Sequence, residues 1–481
     1  MRASAVRNIN PRFRSDWLAS RRSALHCSPI VVEAALLAGA LAVAVGVRIY
    51  RLGSVPRVVT ADEADNLQTA YHMIAGTGPG IFGLDWKPAP AFSLYPLAGT
   101  IQTFGGSIAD FRLFPVILSA LTCLLFYALA RQTLRPRAAL PALFLLATNL
   151  WFVHFSRTAW ENMNSALFAA GACYATVRAV RTARARWWAV AGVFSAFGLY
   201  GYFSGRLIFA AVVLAAACGA AAGDISWRSA GRGLAIATGA TIILFAPMAV
   251  TIVQRWDEFN RRTASVSIFA ADAASNQSAW TRVARNAVRN FRGFVLNDGS
   301  VVNQGLWGRY SPRDRAPLDL PTAALFVVGL VLAARRWRQT YAWWPFFLPL
   351  LVAEIFSFGT PDLARAVVFA PFYFLFVGIA LEEAFRPIRS RTLRVTVGFA
   401  VMLVATAIGV TNVRGYFNWQ KQREVQLMRF PGVDRCEFDA WRQLAQRAAS
   451  EGPGPLEPAA FETVRMKLSC SPLASAWLRR Q

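Results

Sequence analysis

The chain has 481 residues, of which 55% are hydrophobic and 16% are charged. Long apolar runs recur along it, which excludes an ordinary soluble enzyme. Its formal charge is +25 at pH 7. The arginines lie between the apolar runs, a pattern typical of a membrane protein facing an anionic leaflet, and we expect no nucleic-acid partner.

Apolar runs of roughly 20 residues are long enough to cross a bilayer as helices. Here such runs are separated by short basic turns or by longer polar loops. We therefore predict an all-α integral membrane protein with about eleven transmembrane helices. The predicted spans are 30–47, 111–130, 140–152, 159–177, 188–200, 207–222, 234–253, 323–334, 344–358, 366–381 and 395–410.

The arginines also predict the orientation, because they concentrate in one set of alternate short loops, and such loops face the cytoplasm. We expect a cytoplasmic basic arm at 1–29, a transmembrane domain at 30–411 and a small extracytoplasmic C-terminal region at 412–481. Loops 51–110 and 254–320 would lie outside as well. The expected location is the plasma (inner) membrane of a bacterium.

Two cysteines, Cys436 and Cys470, fall in the C-terminal region. If that region faces an oxidising compartment, the two thiols can pair. A disulfide bridge and free thiols both stay open.

Residues 60–90 of the first outward loop carry a group of polar residues shortly after the end of the first span. This segment opens with the carboxylates of Asp62 and Glu63, continues with helix formers and then turns through glycines and prolines. Lys87 follows in the turn LDWKPAP, and 91–104 predicts a second amphipathic helix beside the membrane. This grouping indicates chemistry on a polar or phosphorylated group at the membrane surface, although an ordinary solvated loop is the alternative.

Two further outward loops carry ionisable residues. In HFSRTAWEN, Arg157 and Glu161 stand four residues apart, so on a helix they would share a face. They would form either a salt bridge that fixes the helix end or a functional pair. In GYFSGR, Arg206 offers a guanidinium suited to phosphate, whereas Tyr202 and Phe203, with the preceding Tyr200, indicate an aromatic anchoring belt.

The later part of the chain repeats these themes. Asp362 and Arg365 form a similar outward pair before the tenth predicted span. In the long outward loop, arginines recur at steps of three and four over 282–292, which predicts a basic helix lying flat on the bilayer. Such a helix would either anchor the surface or capture an anionic lipid carrier.

Several common site motifs are missing from the sequence. It contains no phosphate-binding nucleotide loop, no dinucleotide fingerprint and no His/Cys spacing typical of a metal site. With only 3 histidines, a histidine-based triad is not expected.

The order of the outward motifs resembles a known family. TADEA, then WKPAP, then the arginine in DFRLFPVILSALTCLLFYALAR, then HFSRTAWEN, is similar to the membrane glycosyltransferases of the GT-C fold. The branch that it resembles most is the protein-mannosyltransferase-like and aminoarabinose-transferase-like (PMT/ArnT-type) one. YGYFSGRLI and TPDLARAVVFAPFYFLFVGIAL are similar to that branch's later spans. The resemblance covers residues 30–381.

The resemblance implies a GT-C-like arrangement of helices and a sugar transferase with its site on the outer face. The donor would be a polyprenyl-phosphate-linked sugar, and the acceptor a protein, a lipid or a cell-envelope glycan. Asp62 would be the general base, Glu63 would support it or hold a divalent metal ion, and Glu161 would be a second acidic residue of the site. The candidates for holding the carrier phosphate are Lys87, Arg157, Arg206 and Arg365.

The residue types fit that chemistry. A sugar bonded through phosphate already has a good leaving group, so cations suffice on the leaving side. The acceptor hydroxyl loses a proton as it attacks, which needs one carboxylate. Direct displacement with a single base predicts inversion.

Two other classes of function stay open from the sequence. A secondary transporter or lipid-linked-sugar flippase would use the outward charges as gates, although such proteins usually show internal repeats and polar residues at mid-membrane depth. A non-catalytic membrane scaffold would leave the acidic cluster unexplained.

Overall fold

The computed structural model describes residues 29–56, 61–105, 107–269, 278–296, 301, 310–312 and 315–429. The chain divides into two units, residues 1–39 and 40–481. Of the first unit, residues 29–39 are described and form the start of a helix. All of the other elements belong to the second unit. The basic arm before residue 29 and the Cys436–Cys470 pair lie outside the described residues.

The described part of the chain is almost entirely helical. Its α-helices are α1 Pro29–Ile49, α2 Ala61–Ile74, α3 Tyr95–Phe104, α4 Ile108–Ala130, α5 Pro136–Thr148, α6 Leu150–Phe155, α7 Asn162–Thr182, α8 Ala185–Tyr200, α9 Ile208–Ala221, α10 Trp227–Gln254, α11 Trp256–Val266, α12 Ala279–Val295, α13 Leu320–Arg335, α14 Trp337–Thr340, α15 Trp343–Ile355, α16 Leu363–Ala366, α17 Ala370–Ala384 and α18 Arg391–Arg429. Short 3₁₀ helices cover Ala91–Leu94, Phe203–Leu207 and Val367–Phe369. Within these residues, β-structure is limited to two isolated bridges, Leu84–Pro90 and Ser267–Ser357.

Several of these elements are long and apolar enough to cross a bilayer. Among the described residues they number 6, namely Ile30–Ile49, Ile108–Ala130, Phe203–Ala221, Trp227–Gln254, Leu363–Ala384 and Arg391–Gln422. Helices α5, α13 and α15 are shorter apolar helices. The prediction of an all-α, multi-pass membrane protein is therefore confirmed, while the number of spans stays a prediction.

The second amphipathic helix expected in the first outward loop is present. It begins as the 3₁₀ turn Ala91–Leu94 and continues as α3. Leu97 and Ile101 of α3 are buried in a cluster with Leu67 of α2. The two helices of this loop therefore pack against each other through apolar side chains.

The last helix continues beyond the domain boundary expected at residue 411. Asn412 on α18 donates a hydrogen bond to Asp319 at 2.9 Å. Tyr416 packs in one apolar cluster with Leu150 and Val153. The polar sequence after residue 411 thus still belongs to a helix that packs on the transmembrane part.

The basic helix predicted in the long outward loop is α12. Its buried side is made largely by asparagines, since Asn286 donates to the carbonyl of Ile355 (2.7 Å) and Asn290 to the hydroxyl of Thr360 (2.6 Å). Phe291 is 50% exposed, whereas Phe294 is 1% exposed and stacks on the ring of Tyr373. The helix is therefore held by side-chain amides and by Phe294, and its role towards lipids stays a prediction.

The centre of the bundle is formed around α17. The apolar segment that contains it is 94% buried, against 11% for the apolar segment of α18. Gly329 on α13 lies directly against α17, because a Cβ atom there would stand 1.8 Å from the carbonyl oxygen of Phe376. Small residues allow such close approach of helices where no water drives association.

We expect Gly329→Ala to destabilise the protein strongly, because the clashing atom belongs to the backbone of α17 and cannot rotate away. The matched control is Gly239→Ala on α10, where nothing lies within 4 Å of the added Cβ. The control should gain up to about 1 kcal/mol from helix propensity. Thermal unfolding in detergent measures both, and equal midpoints for the two variants would contradict this packing.

Candidate active site

A tight turn between Leu84 and Pro90 presents Lys87 at the end of the first loop. The N–H of Asp85 donates to the carbonyl of Ala89 at 2.8 Å. In return, Oδ1 of Asp85 accepts the N–H groups of Lys87 and Ala89, at 2.9 Å each. An aspartate that accepts backbone N–H groups from the residues after it stabilises a turn locally, so LDWKPAP folds around its own side chain.

Polar contacts join this turn to the residue that precedes α7. Lys87 Nζ donates to Oε1 of Glu161. Asn66 on α2 donates to Oε2 of Glu161 at 2.8 Å and accepts the indole N–H of Trp86 at 2.9 Å. Buried charges persist only when they are paired and hydrogen-bonded, and the side chain of Glu161 is 2% exposed. The turn, α2 and the start of α7 are thus held by one carboxylate.

The electrostatic surroundings keep Lys87 charged. Burial by itself lowers the pKa of Lys87, because desolvation disfavours a cation. The carboxylates of Glu161, Asp85 and Asp62 outweigh that effect and leave the pKa of Lys87 raised. The ring of Tyr202 lies 5.7 Å from Nζ and adds a cation–π contact.

Lys87 faces a cavity of about 740 Å³. Pockets for small molecules commonly have volumes of about 300 to 1,000 Å³. The acidic side chains that line it are Asp62, Asp85, Glu161, Glu258 and Asp362, the basic ones are Lys87, Arg261 and Arg365, and the aromatic ones are Trp86, Trp160, Tyr202, Phe203 and Tyr310. A cavity with this lining offers anion sites, proton acceptors and flat apolar surfaces side by side.

The expected pair of Asp362 and Arg365 is present on one wall of the cavity. Their charged groups lie 3.4 Å apart, and Arg365 also donates to the carbonyl of Phe358 at 2.9 Å. Oδ1 of Asp362 accepts the N–H of Ala364 at 2.9 Å and so begins α16. Buried Glu354 accepts the N–H of Asp362 from below. Arg365 is therefore positioned by its own helix turn.

The structure brings together four of the seven residues that the sequence singled out. Asp62, Lys87, Glu161 and Arg365 all line the cavity. The four residues come from three segments that are far apart in sequence, so their proximity results from the fold. Glu63, Arg157 and Arg206 are not among the lining residues.

Glu63 has a different position from the one expected. Its side chain is 0% exposed, and Arg112 donates Nε to Oε1 (2.7 Å) and Nη2 to Oε2 (3.2 Å). The N–H of Ala159 also donates to Oε1 at 3.0 Å. A carboxylate that already accepts these bonds is not placed to support a base or to hold a metal ion. We therefore correct its interpretation to that of a buried structural anion.

Arg157 is also placed differently from what the sequence predicted. Residues 157–161 lie between α6 and α7 rather than on a helix, so the spacing that paired Arg157 with Glu161 does not apply. Arg157 instead donates to four backbone carbonyls, at 2.6 to 2.8 Å, and is 0% exposed. Those acceptors belong to Val47, Arg48, Tyr50 and Val55. Arg157 thus stabilises the end of α1, where carbonyls lack partners within the helix, and is not placed to hold a carrier phosphate.

The aromatic turn before α9 is built into the interior. Tyr200 is 4% exposed and packs with Leu84 and Met248, while Tyr202 and Phe203 line the cavity. The expected anchoring belt is therefore wrong for these three residues. The guanidinium of Arg206 lies over the ring of Phe259, 4.1 Å from its centroid. Arg206 thus packs against α11 and does not line the cavity where a carrier phosphate would bind.

The sequence interpretation missed Asp85 and Arg261. Asp85 stands two residues before Lys87, so the concentration of charge in LDWKPAP was the available signal. Arg261 lies on α11, in a polar loop with many arginines, and its sequence carries no signal that separates it from the others. Only the approach of α11 to the cavity identifies it.

The acidic residues of the described part of the chain also bear on the metal ion that the sequence left open. Among them, no three His, Cys, Asp or Glu side chains are arranged so that they could hold a metal ion. The oxygens of Glu63, the candidate ligand from the sequence, accept bonds from Arg112. Within the described part of the chain, the residues therefore do not fit the metal that the sequence left open.

The sequence was compared with family models and with curated proteins. Residues 88–252 match the family model of dolichyl-phosphate-mannose-protein mannosyltransferases. None of the curated proteins matches this chain.

Solved structures resemble the fold of the chain. The archaeal oligosaccharyltransferase AglB from Archaeoglobus fulgidus, in complex with an inhibitory peptide and a dolichol-phosphate, has a TM-score of 0.54 at 15% identity, covering 82% of this chain and 56% of that one. ArnT from Cupriavidus metallidurans bound to undecaprenyl phosphate has a TM-score of 0.52 at 15% identity, covering 92% of this chain and 75% of that one. This chain thus spans little more than half of the length of AglB. The likenesses confirm the GT-C fold and the predicted resemblance to PMT/ArnT-type proteins.

Asp85 titrates differently from an exposed aspartate. Burial raises the pKa of Asp85 from 3.8 to about 6, against the opposing effect of Lys87 and with a smaller raising effect of Glu161. The folded chain binds the proton of Asp85 more tightly than the unfolded chain does. Protonation of Asp85 therefore stabilises the fold; this contribution is complete below about pH 4 and is lost as the pH rises through about 6.

We therefore expect Asp85→Asn, which is neutral at every pH, to gain stability relative to wild type between pH 4 and pH 7. The gain should approach about 3 kcal/mol at most, from 1.36 kcal/mol per pKa unit. Thermal unfolding in detergent across this range measures it. Asp257→Asn, at an exposed position, is the control. A difference between Asp85→Asn and wild type that stays constant with pH would refute the assignment.

Proposed function

We propose that this membrane protein of the GT-C fold is a glycosyltransferase. It moves a sugar from a polyprenyl-phosphate-linked donor to an acceptor, which is a protein, a lipid or a cell-envelope glycan. The observation that carries the proposal is the cavity in which Lys87 and Arg365 meet the carboxylates of Asp62 and Glu161. The dolichol-phosphate in AglB and the undecaprenyl phosphate in ArnT support a lipid-phosphate donor here.

The carrier phosphate binds at the cationic part of the cavity. Lys87 is kept charged by its carboxylate neighbours, and Arg365 is positioned by Asp362 and by the carbonyl of Phe358. Arg261 on α11 faces the same cavity and completes the set. As the bond between the sugar and the phosphate breaks, negative charge grows on the leaving phosphate. Cations fixed in advance stabilise that charge without rearranging.

Asp62 acts as the general base. It lines the cavity in the first turn of α2, and its side chain is only partly buried, so an acceptor hydroxyl can reach it. Glu161, in contrast, is buried and bonded to Lys87 and Asn66. Asp62 takes the hydroxyl proton while the acceptor oxygen attacks the anomeric carbon. One displacement with one base inverts the configuration at that carbon.

The mechanism assigns no step to a metal ion, because the described carboxylates do not form a ligand set. We further propose that the protein lies in the plasma membrane of a bacterium with the cavity on the extracytoplasmic side. The distribution of arginines between short loops supports that orientation. Transfer on that side suits a lipid-linked donor, since the donor needs no nucleotide-binding fold.

Asp62→Asn should lower sugar transfer by about 100-fold or more, the usual range for removal of a general base, while donor binding stays within about twofold of wild type. The assay follows a labelled sugar from a polyprenyl-phosphate donor into membrane acceptors. Asp65→Asn, on the same helix but outside the cavity lining, is the matched control. Transfer at the wild-type rate by Asp62→Asn would remove Asp62 from the mechanism.

A further inference from the structure

Asp85 has one oxygen that the mechanism does not use. Its Oδ1 accepts two backbone N–H groups of the turn. Its Oδ2 is buried and has no hydrogen-bond partner within the described part of the chain, although the side chain lines the cavity and is 6% exposed. A buried acceptor without a donor costs free energy, so an unpaired oxygen on a side chain that lines a cavity points to a ligand that donates to it.

The surroundings of this oxygen indicate what that ligand group is. A phosphate is excluded, because a carboxylate repels it and the cations of the cavity offer it a better place. Trp86, Trp160 and Tyr310 line the same cavity and provide flat apolar surfaces. Carboxylate acceptors beside aromatic faces suit a ring that carries both C–H and O–H groups, which is the chemistry of a sugar.

The position of Asp85 in the turn gives it a different role from that of Asp62, the proposed base. Asp85 accepts the backbone N–H of Lys87, so it is fixed beside the cation assigned to the leaving phosphate. In a direct displacement, the acceptor and its base stand opposite the leaving group. A residue fixed beside the phosphate therefore faces the sugar ring rather than the attacking hydroxyl.

We propose that Asp85 recognises the transferred sugar, with Oδ2 accepting a hydrogen bond from a hydroxyl or amino group of that sugar. This inference rests on the proposed function and adds a residue that selects the donor. The bond that it forms exists only with a sugar-loaded carrier. The carrier without a sugar gains nothing from Asp85.

The test uses the full chain in nanodiscs and the variant Asp85→Asn. Asparagine keeps an Oδ1 acceptor for the two N–H groups of the turn and replaces the free acceptor by a donor. The probes are undecaprenyl phosphate and its conjugates with mannose, glucose, galactose and arabinose. The wild-type chain should bind at least one conjugate more tightly than undecaprenyl phosphate. For that conjugate, Asp85→Asn should lose affinity by about tenfold or more, and for undecaprenyl phosphate it should change by less than about twofold.

A second arm starts from the wild-type chain, so its first measurement does not depend on how the variant folds. Monodeoxy analogues of the best conjugate are bound to wild type, and one of them should lose affinity by about tenfold. The same analogue should lose nothing further in Asp85→Asn, because the partner is already gone. The kinetic signature is a raised KM for the sugar donor with little change in kcat.

Three outcomes overturn the inference. The first is an equal loss for undecaprenyl phosphate and for the conjugates. The second is a set of deoxy effects that are the same in both proteins. The third is a wild-type chain that binds undecaprenyl phosphate but binds no conjugate more tightly. A wild-type chain that does not bind undecaprenyl phosphate overturns the proposed function itself.

Discussion

The ion pair between Lys87 and Glu161 is the interaction on which the cavity depends. It joins a turn of the first outward loop to the residue before α7, and Asn66 links both to α2. The pair is nearly closed off from solvent, so neither partner can be removed without leaving a buried charge. At the same time Lys87 keeps one side towards the cavity. The contact that holds the first loop in place therefore also provides a positive charge where a carrier phosphate would bind.

Two arginines also hold the first outward loop in position, by donating hydrogen bonds to backbone carbonyls and to a buried glutamate. Arg157 donates to carbonyls at the end of α1, and Arg112 joins Glu63 to the carbonyls of Leu52 and Pro56. In a membrane protein such groups need partners inside the fold, since lipid offers none. The loop that carries Asp62 is thus hydrogen-bonded to the helices beneath it. A fixed position for Asp62 suits the role of base proposed for it, because proton transfer requires the base within hydrogen-bond distance.

The fold was largely predictable from sequence because each apolar run reports its own helix. The gathering of Asp62, Lys87, Glu161 and Arg365 was predicted through a family resemblance, and all four line one cavity. The partners of the charges were not predictable. Arg157 was paired with Glu161 on the assumption that both lie on one helix, but α6 ends at Phe155. Glu63 was expected in the site, but its carboxylate is bonded to Arg112. Which acid meets which base depends on tertiary contacts, and sequence spacing reports only contacts within an element. The charges in LDWKPAP were a signal for Asp85, but its unpaired oxygen is defined only once the turn is folded.

The most direct measurement is the affinity of the chain in nanodiscs for undecaprenyl phosphate. It is compared among wild type, Lys87→Met, and the double variant Lys87→Met/Glu161→Gln, in which no buried carboxylate is left unpaired. The exposed Lys421→Met is the control. If Lys87 binds the carrier phosphate, both Lys87 variants lose affinity by about tenfold or more, as for a charge-assisted bond, and the control does not. Recovery of wild-type affinity in the double variant would show that Lys87 serves only to neutralise Glu161, and would contradict the account.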